Sequence, residues 1–285
     1  MNKLCIAIRS LNRPEYLKQC LESLEANTYL SGVDFHFFQD GAVNQFSGIR
    51  HATDEDIKAS LKVFLDSKLP NKTIFISSSN VGPIIRNKLQ LGHVFPRYEY
   101  GVFIDNDLIF NKYYIKTLKV LFEQFKNSDA GSIQTSFRHH ENSLQSFEEA
   151  ERLQDKVAYG FSHRWEIGLW RESWEKIKPQ MAPYFEMTEK CDFKELLYNH
   201  DIYEDIRVKL REIYGQSGNV TTEDYALERS VEKAGYKGLH TLTLRHKTIG
   251  EKGMYSFRST RFKDGNYAGI ELYNVGNVEE YEVHK

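Results

Sequence analysis

Apolar and polar positions follow two periods along the first hundred residues. LCIAIRS (4–10) is a short β-rich run, and DFHFFQDG (34–41) alternates like a strand until it stops at the turn dipeptide Asp-Gly. TIFISSSN (73–80) and YGVFIDNDLIF (100–110) read as third and fourth strands. Between them the spacing is helical: EYLKQCLESLEA behind Pro14, DEDIKASLKVFLDSK (54–68) and IIRNKLQLGHVF (84–95). Strand and helix alternating at this spacing predict an α/β fold, with a mostly parallel, Rossmann-like central sheet flanked by helices.

The second half is less regular. YYIKTLKVLFEQFKNS (113–128) reads as a helix, AGSIQTSF (130–137) as a strand and SLQSFEEAERLQDKVA (143–158) as a charged helix. WEIGLWRESWEKI (165–177) is aromatic-rich, and residues 179–217 carry many charges and no strand signal, which predicts a helical insertion. TTEDYALERSVEKAG (221–235) reads as a helix capped by Thr221 or Thr222, and GLHTLTLRHKTIG (238–250) as a final strand. With no repeat, low-complexity tract or linker, one domain over 1–285 is expected.

Composition narrows the class. The 285 residues, 40% apolar and 27% charged, describe an ordinary globular chain able to bury a large core. A net charge of −2 gives no overall drive toward nucleic acid, which is not expected as a partner. Cys5, Cys20 and Cys191 are odd in number and in no metal-ligand spacing, so reduced thiols and a cytoplasmic location are expected. No apolar run approaches the ~20 residues that span a bilayer, and the apolar part of MNKLCIAIRSLNR is too short for a signal peptide.

In parallel sheets ligands bind beyond the carboxyl ends of the strands, and the polar clusters fall there. Arg9-Ser10 to Asn12-Arg13, Gln39-Asp40-Gly41, Ser77 to Asn80 and Asp105-Asn106-Asp107 each follow a predicted strand. In an unbroken strand Asp105 and Asp107 project to one side, and desolvating both costs several kcal/mol per ion. A shared proton, a cationic partner or a divalent cation would relieve this. Oxygen donors in Asp-x-Asp suit Mn²⁺ or Mg²⁺, which keeps positions open for phosphate oxygens. A surface turn capped by the two acids is the alternative without a ligand.

Four pieces in order resemble glycosyltransferase family 2, inverting nucleotide-sugar-dependent enzymes of the GT-A fold. They are IAIRSLNRPEYLKQCLESL, FQDG, SNVGPIIRNK and FIDND, and TTEDYALERSVEKAGYKG resembles the family's acidic helix start. The resemblance implies transfer of a sugar from a nucleoside-diphosphate sugar, uridine-linked by family expectation, to a hydroxyl of a carbohydrate or lipid-linked acceptor in glycan or polysaccharide biosynthesis. Residues 1–110 would form the nucleotide-sugar half, 111–250 the acceptor and catalytic half with insertion 179–217, and 251–285 a tail. Ser10, Arg13, Asp40, Arg86 and Asp105 would contact nucleotide; Asp105, Asp107 and His246 would hold Mn²⁺ or Mg²⁺. Asp224 would act as general base with Glu223 beside it, and Trp165 and Glu166 would face the acceptor. One departure is Arg9-Ser10-Leu11-Asn12-Arg13, where family members often carry a tyrosine able to stack on the base.

Each role has a plainer reading beside it. Arg86 suits a helix salt bridge, Glu223 and Asp224 suit the positive end of a helix dipole, and the tryptophans suit a core. The tail GMYSFRSTRFK (253–263) reads either as a solvated segment or as a contact with diphosphate or a membrane surface, so peripheral attachment at the inner face stays open. A retaining transferase and a non-catalytic nucleotide- or sugar-binding module are the alternative functions.

Overall fold

A computed structural model describes residues 3–136, 145–162, 165–199, 203–216, 220–251 and 270–284. The tail 253–263, and His139 and His140, lie outside them. The first four strands are β1 (Leu4–Ser10), β2 (Val33–Gln39), β3 (Lys72–Ile76) and β4 (Tyr100–Asp105). They are parallel neighbours in the order β3-β2-β1-β4, so all four carboxyl ends reach one edge, as the polar clusters imply. β1 and β4 lie inside the sheet and bury side chains on both faces, which is why they read as near-continuous apolar runs.

Alternation sorts those side chains into two layers. Leu4, Ile6 and Ile8 of β1 join Val102 and Ile104 in a core beneath α1 (Pro14–Glu25), α2 (Asp54–Asp66) and α4 (Tyr114–Gln124). Cys5, Ala7 and Phe103 face the opposite core, covered by α3 (Gly82–Val94), α6 (Arg171–Thr188) and α9 (Glu223–Lys233). Each fully buried Leu or Ile in these layers contributes roughly 1.5–3 kcal/mol. Proline opens α1, and Thr53 caps α2 reciprocally with Asp56.

Three elements differ from the sequence expectation. The run 100–110 is not one strand: β4 stops at Asp105, Asn106 and Asp107 form a turn, and β5 (Leu108–Phe110) resumes beyond it. The charged run 143–158 makes only the short α5 (Phe147–Arg152). Its end, β7 (Lys156–Tyr159), is recruited into the sheet by pairing. The run 238–250 splits into β9 (Lys237–Thr241) and β10 (His246–Thr248), and β10 pairs with β5. Between them Arg245, fully buried, donates to Thr117 Oγ1 and to the carbonyls of Val275 and Gln154, which pulls the chain out of the sheet.

Among the described residues the sheet has nine strands, completed by β6 (Ala130–Gln134), β8 (Glu166–Trp170) and the edge pair of β7 with β11 (Glu282–Val283). The strand order is β11-β7-β9-β6-β8-β4-β1-β2-β3, with β8 inserted antiparallel between β4 and β6. Helices α6, α7 (Phe193–Tyr198) and α8 (Glu204–Tyr214) fill the region read as a helical insertion. No helix of the described residues is long and apolar enough to cross a membrane.

Candidate active site

The period of β1 sets the centre of the site. Arg9 follows Cys5 and Ala7 on the face toward α9, and it stands in register with Asp105 of β4. Its guanidinium donates to both Asp105 oxygens, Nε to Oδ1 and Nη2 to Oδ2 at 3.2 Å. Nη1 reaches Glu223 Oε1 at 2.9 Å. One arginine thus joins an acid of the first half to an acid of the second. Glu223 opens α9, where Thr222 accepts from the Tyr225 N–H as N-cap, so the helix start predicted from sequence presents both Glu223 and Asp224 toward β1.

Asp107 takes a different partner. Beyond the turn its Oδ2 accepts from Arg13 Nη1 at 2.7 Å, while Arg13 Nη2 donates to Asn106 Oδ1 at 3.0 Å and Asn106 Nδ2 donates to Ser10 at 3.1 Å. Burial pushes the Asp107 carboxyl above its ordinary value; Arg13 opposes that and Asp105 adds to it. A Cβ at Gly250 would meet the Asp107 carboxylate, so a larger residue there displaces that side chain.

Asp40 and Arg86 form a buried pair, 6% and 3% exposed. Besides Arg86 Nη2, Asp40 accepts from the backbone N–H of Gly41 at 3.0 Å, Val81 at 2.9 Å and Gly82 at 3.1 Å. Gly82 has φ +74°, a conformation costly for other residues, and this turns the chain into α3 over the Asp40 carboxylate. Arg86 Nη1 donates to Ser77 at 3.1 Å. Both residues therefore brace the ends of β2 and β3 against α3.

A cleft opens beside this cluster. Arg9, Asn87 and Asp224 line it, with Phe103 and Trp165 among its aromatic walls. Trp165 and Ile167 face the cleft, whereas Glu166, between them, points to the interior and is 1% exposed. Glu166 accepts from Tyr114 Oη at 3.1 Å and from the Thr135 N–H at 2.8 Å, and burial pushes its carboxyl up to about 7. His246 sits with it, Nδ1 at 3.1 Å from Thr135 Oγ1 and 3.7 Å from Glu166 Oε2.

The residues expected to hold a cation already have partners. The donors are hard oxygens, but Asp105 and Asp107 are held by guanidinium groups, and His246 lies beside Glu166. Among the described residues no group of three His, Cys, Asp or Glu converges as a metal site would. As they stand, these residues do not fit Mn²⁺ or Mg²⁺. The acids are tolerated near the sheet edge because Arg9, at the end of β1, and Arg13, at the start of α1, pair with them. Sequence reading missed Arg9, although its position two residues beyond Ala7 marks the face it shares with Asp105.

No protein-family model matches the chain, and no curated protein matches it. Among solved structures, S. aureus TarS 1–349 is similar at 13% identity and a TM-score of 0.48, over 87% of this chain and 61% of that one. The same fragment in complex with UDP-GlcNAc is similar at 14% and 0.38, over 50% and 37%. The mannosyltransferase PcManGT from Pyrobaculum calidifontis, in complex with GDP-Man and Mn²⁺, is similar at 12% and 0.44, over 81% and 73%. The chain spans less than two thirds of the TarS chains it matches. At these scores the likenesses stop short of showing a family.

Proposed function

We propose that the chain transfers a sugar from a nucleoside-diphosphate sugar to a hydroxyl acceptor, with inversion at the anomeric carbon. The observation that carries this reading is the meeting of two halves in one cleft. Arg9, at the carboxyl end of a parallel strand, stands opposite Asp224 at the start of α9, and Trp165 flanks both. An acceptor hydroxyl must lose its proton as it attacks from the face opposite the leaving diphosphate. A carboxylate on the far wall suits that task, so Asp224 takes the proton. Glu223 is held by Arg9, which fixes the helix start and keeps Asp224 directed at the cleft.

Charge decides how the donor enters. Arg9 and Arg13 face four carboxylates, Asp105, Asp107, Glu223 and Asp224, so the cluster carries excess negative charge. A diphosphate is therefore accommodated only if its oxygens draw guanidinium hydrogen bonds away from the acids, or if a cation accompanies it. Ser10 and Arg13 belong to this wall, and Asp40 with Arg86 supports it from behind. The proposed acceptor wall includes Trp165 and leaves out Glu166, which points inward.

Asp224→Asn is the direct test. With UDP- and GDP-sugars as donors and a panel of polyhydroxyl acceptors, release of nucleoside diphosphate is expected to fall about 10²–10⁴-fold, with nucleoside diphosphate affinity unchanged. Full turnover in Asp224→Asn removes it as base, and an axial-to-axial product by NMR would make the transfer retaining.

A further inference from the structure

Among the described residues, Asn87 is the cleft-lining side chain with a buried polar atom left unpaired. It lies one residue beyond Arg86 on α3, is 6% exposed, and its Oδ1 is buried without a hydrogen-bond partner among the described residues. A buried amide oxygen left unpaired is costly and uncommon. The same cleft brings in Asp224 and Glu228, which repel a phosphate, and Phe103 and Trp165, whose faces suit apolar C–H surface. A neutral hydroxyl fits that setting, since it both donates and accepts and so satisfies an amide in either orientation.

We infer that Asn87 binds a hydroxyl of the transferred sugar and thereby helps select the donor. The assignment rests on the glycosyl-transfer reading. Asn87 belongs to the helix anchored on Asp40, in the first half of the chain, and faces Asp224 on α9 across the cleft. That places the sugar between the nucleotide wall and the base. A site built to pair with one hydroxyl discriminates strongly against sugars that lack it.

Leucine matches asparagine in shape and needs no partner, which gives the test two opposed readouts. In Asn87→Leu the Tm of the free protein is expected to rise by roughly 1–4 °C, because an unpaired buried group is gone. By calorimetry, affinity for a nucleotide sugar that binds wild type is expected to fall roughly five- to twenty-fold, about the worth of one to two kcal/mol of hydrogen bonding. Affinity for the matching nucleoside diphosphate stays within about twofold. Asn87→Ala supplies the same binding readout if Leu does not fold. A lower Tm in both variants makes Asn87 a structural residue, and unchanged sugar-nucleotide affinity removes the contact; either overturns the inference. Equal loss for nucleotide sugar and nucleoside diphosphate moves Asn87 to the nucleotide and overturns the sugar assignment. If wild type binds no nucleotide sugar, the transferase reading fails first and this inference with it.

Discussion

At the scale of single residues, Arg9 does more than any other side chain to define the cleft. It satisfies Asp105 in a forked geometry and reaches Glu223 with its third nitrogen, Nη1, a set of bonds that lysine cannot reproduce. Removing it leaves Glu223, whose side chain is 6% exposed, without that cation and Asp105 without its pair. Arg9→Met is therefore expected to lose about 2–4 kcal/mol of stability in urea denaturation, with Arg9→Lys recovering less than half. A loss under about 0.5 kcal/mol would show the pairs to be solvated and weak, as exposed ones are. Much of this was legible beforehand: the acids, Arg13 and the capped start of α9 stand out in the sequence. The partners were not. Arg9 is distant from Asp105 along the chain, and only strand register brings them together.

At the scale of elements, β2 and α3 enclose a second polar group. His36 of β2, 4% exposed, packs against His93 of α3 with ring centroids 5.1 Å apart and against Phe75 of β3 at 5.6 Å. Tyr98 contacts His36 Nε2 at 3.1 Å and donates to Asp34, and Arg97 lies beside His93. Burial, with His93 and Arg97 adding repulsion, pushes His36 down to about 4, although Asp34 pulls the other way. The neutral ring is thus the one the fold accepts. The unfolded chain takes up the proton from pH 6.5 downward and the folded chain does so only near 4, so stability is full above 6.5 and drains away between these values. The loss reaches about 2–3 kcal/mol at pH 4.5. In urea melts at several pH values, His36→Phe is expected to lose less than wild type over that window; parallel curves would contradict it. Nothing in the alternation of DFHFFQDG signals this, because a histidine on an apolar strand reads the same whether charged or neutral.

Across the whole molecule, the first half follows the sequence closely because its strands are central, parallel and apolar on both faces. Four polar clusters mark their common edge, and the structure puts those ends side by side. Legibility falls where tertiary pairing outvotes local preference. Lys156–Tyr159 joins the sheet behind a short helix, Glu166–Trp170 enters antiparallel, and residues 242–245 leave the sheet for Arg245. The break at Asn106–Asp107 belongs to the same class: an apolar run with three polar residues reads as one strand, until Arg13 and Ser10 draw the turn toward α1.

The cleft between Arg9 and Asp224 is the proposed site for a nucleoside-diphosphate sugar. A thermal-shift panel of UDP- and GDP-sugars, each with and without Mn²⁺ and beside the free nucleoside diphosphates, tests it most directly. A ligand at 100 times its Kd stabilises the folded chain by about 2.7 kcal/mol, which raises Tm by several degrees. At least one nucleotide sugar is expected to do so in wild type, and Mn²⁺ alone is not, because guanidinium groups hold both aspartates. If no nucleotide sugar moves Tm at millimolar concentration, with or without Mn²⁺, the cleft is not a nucleotide-sugar site.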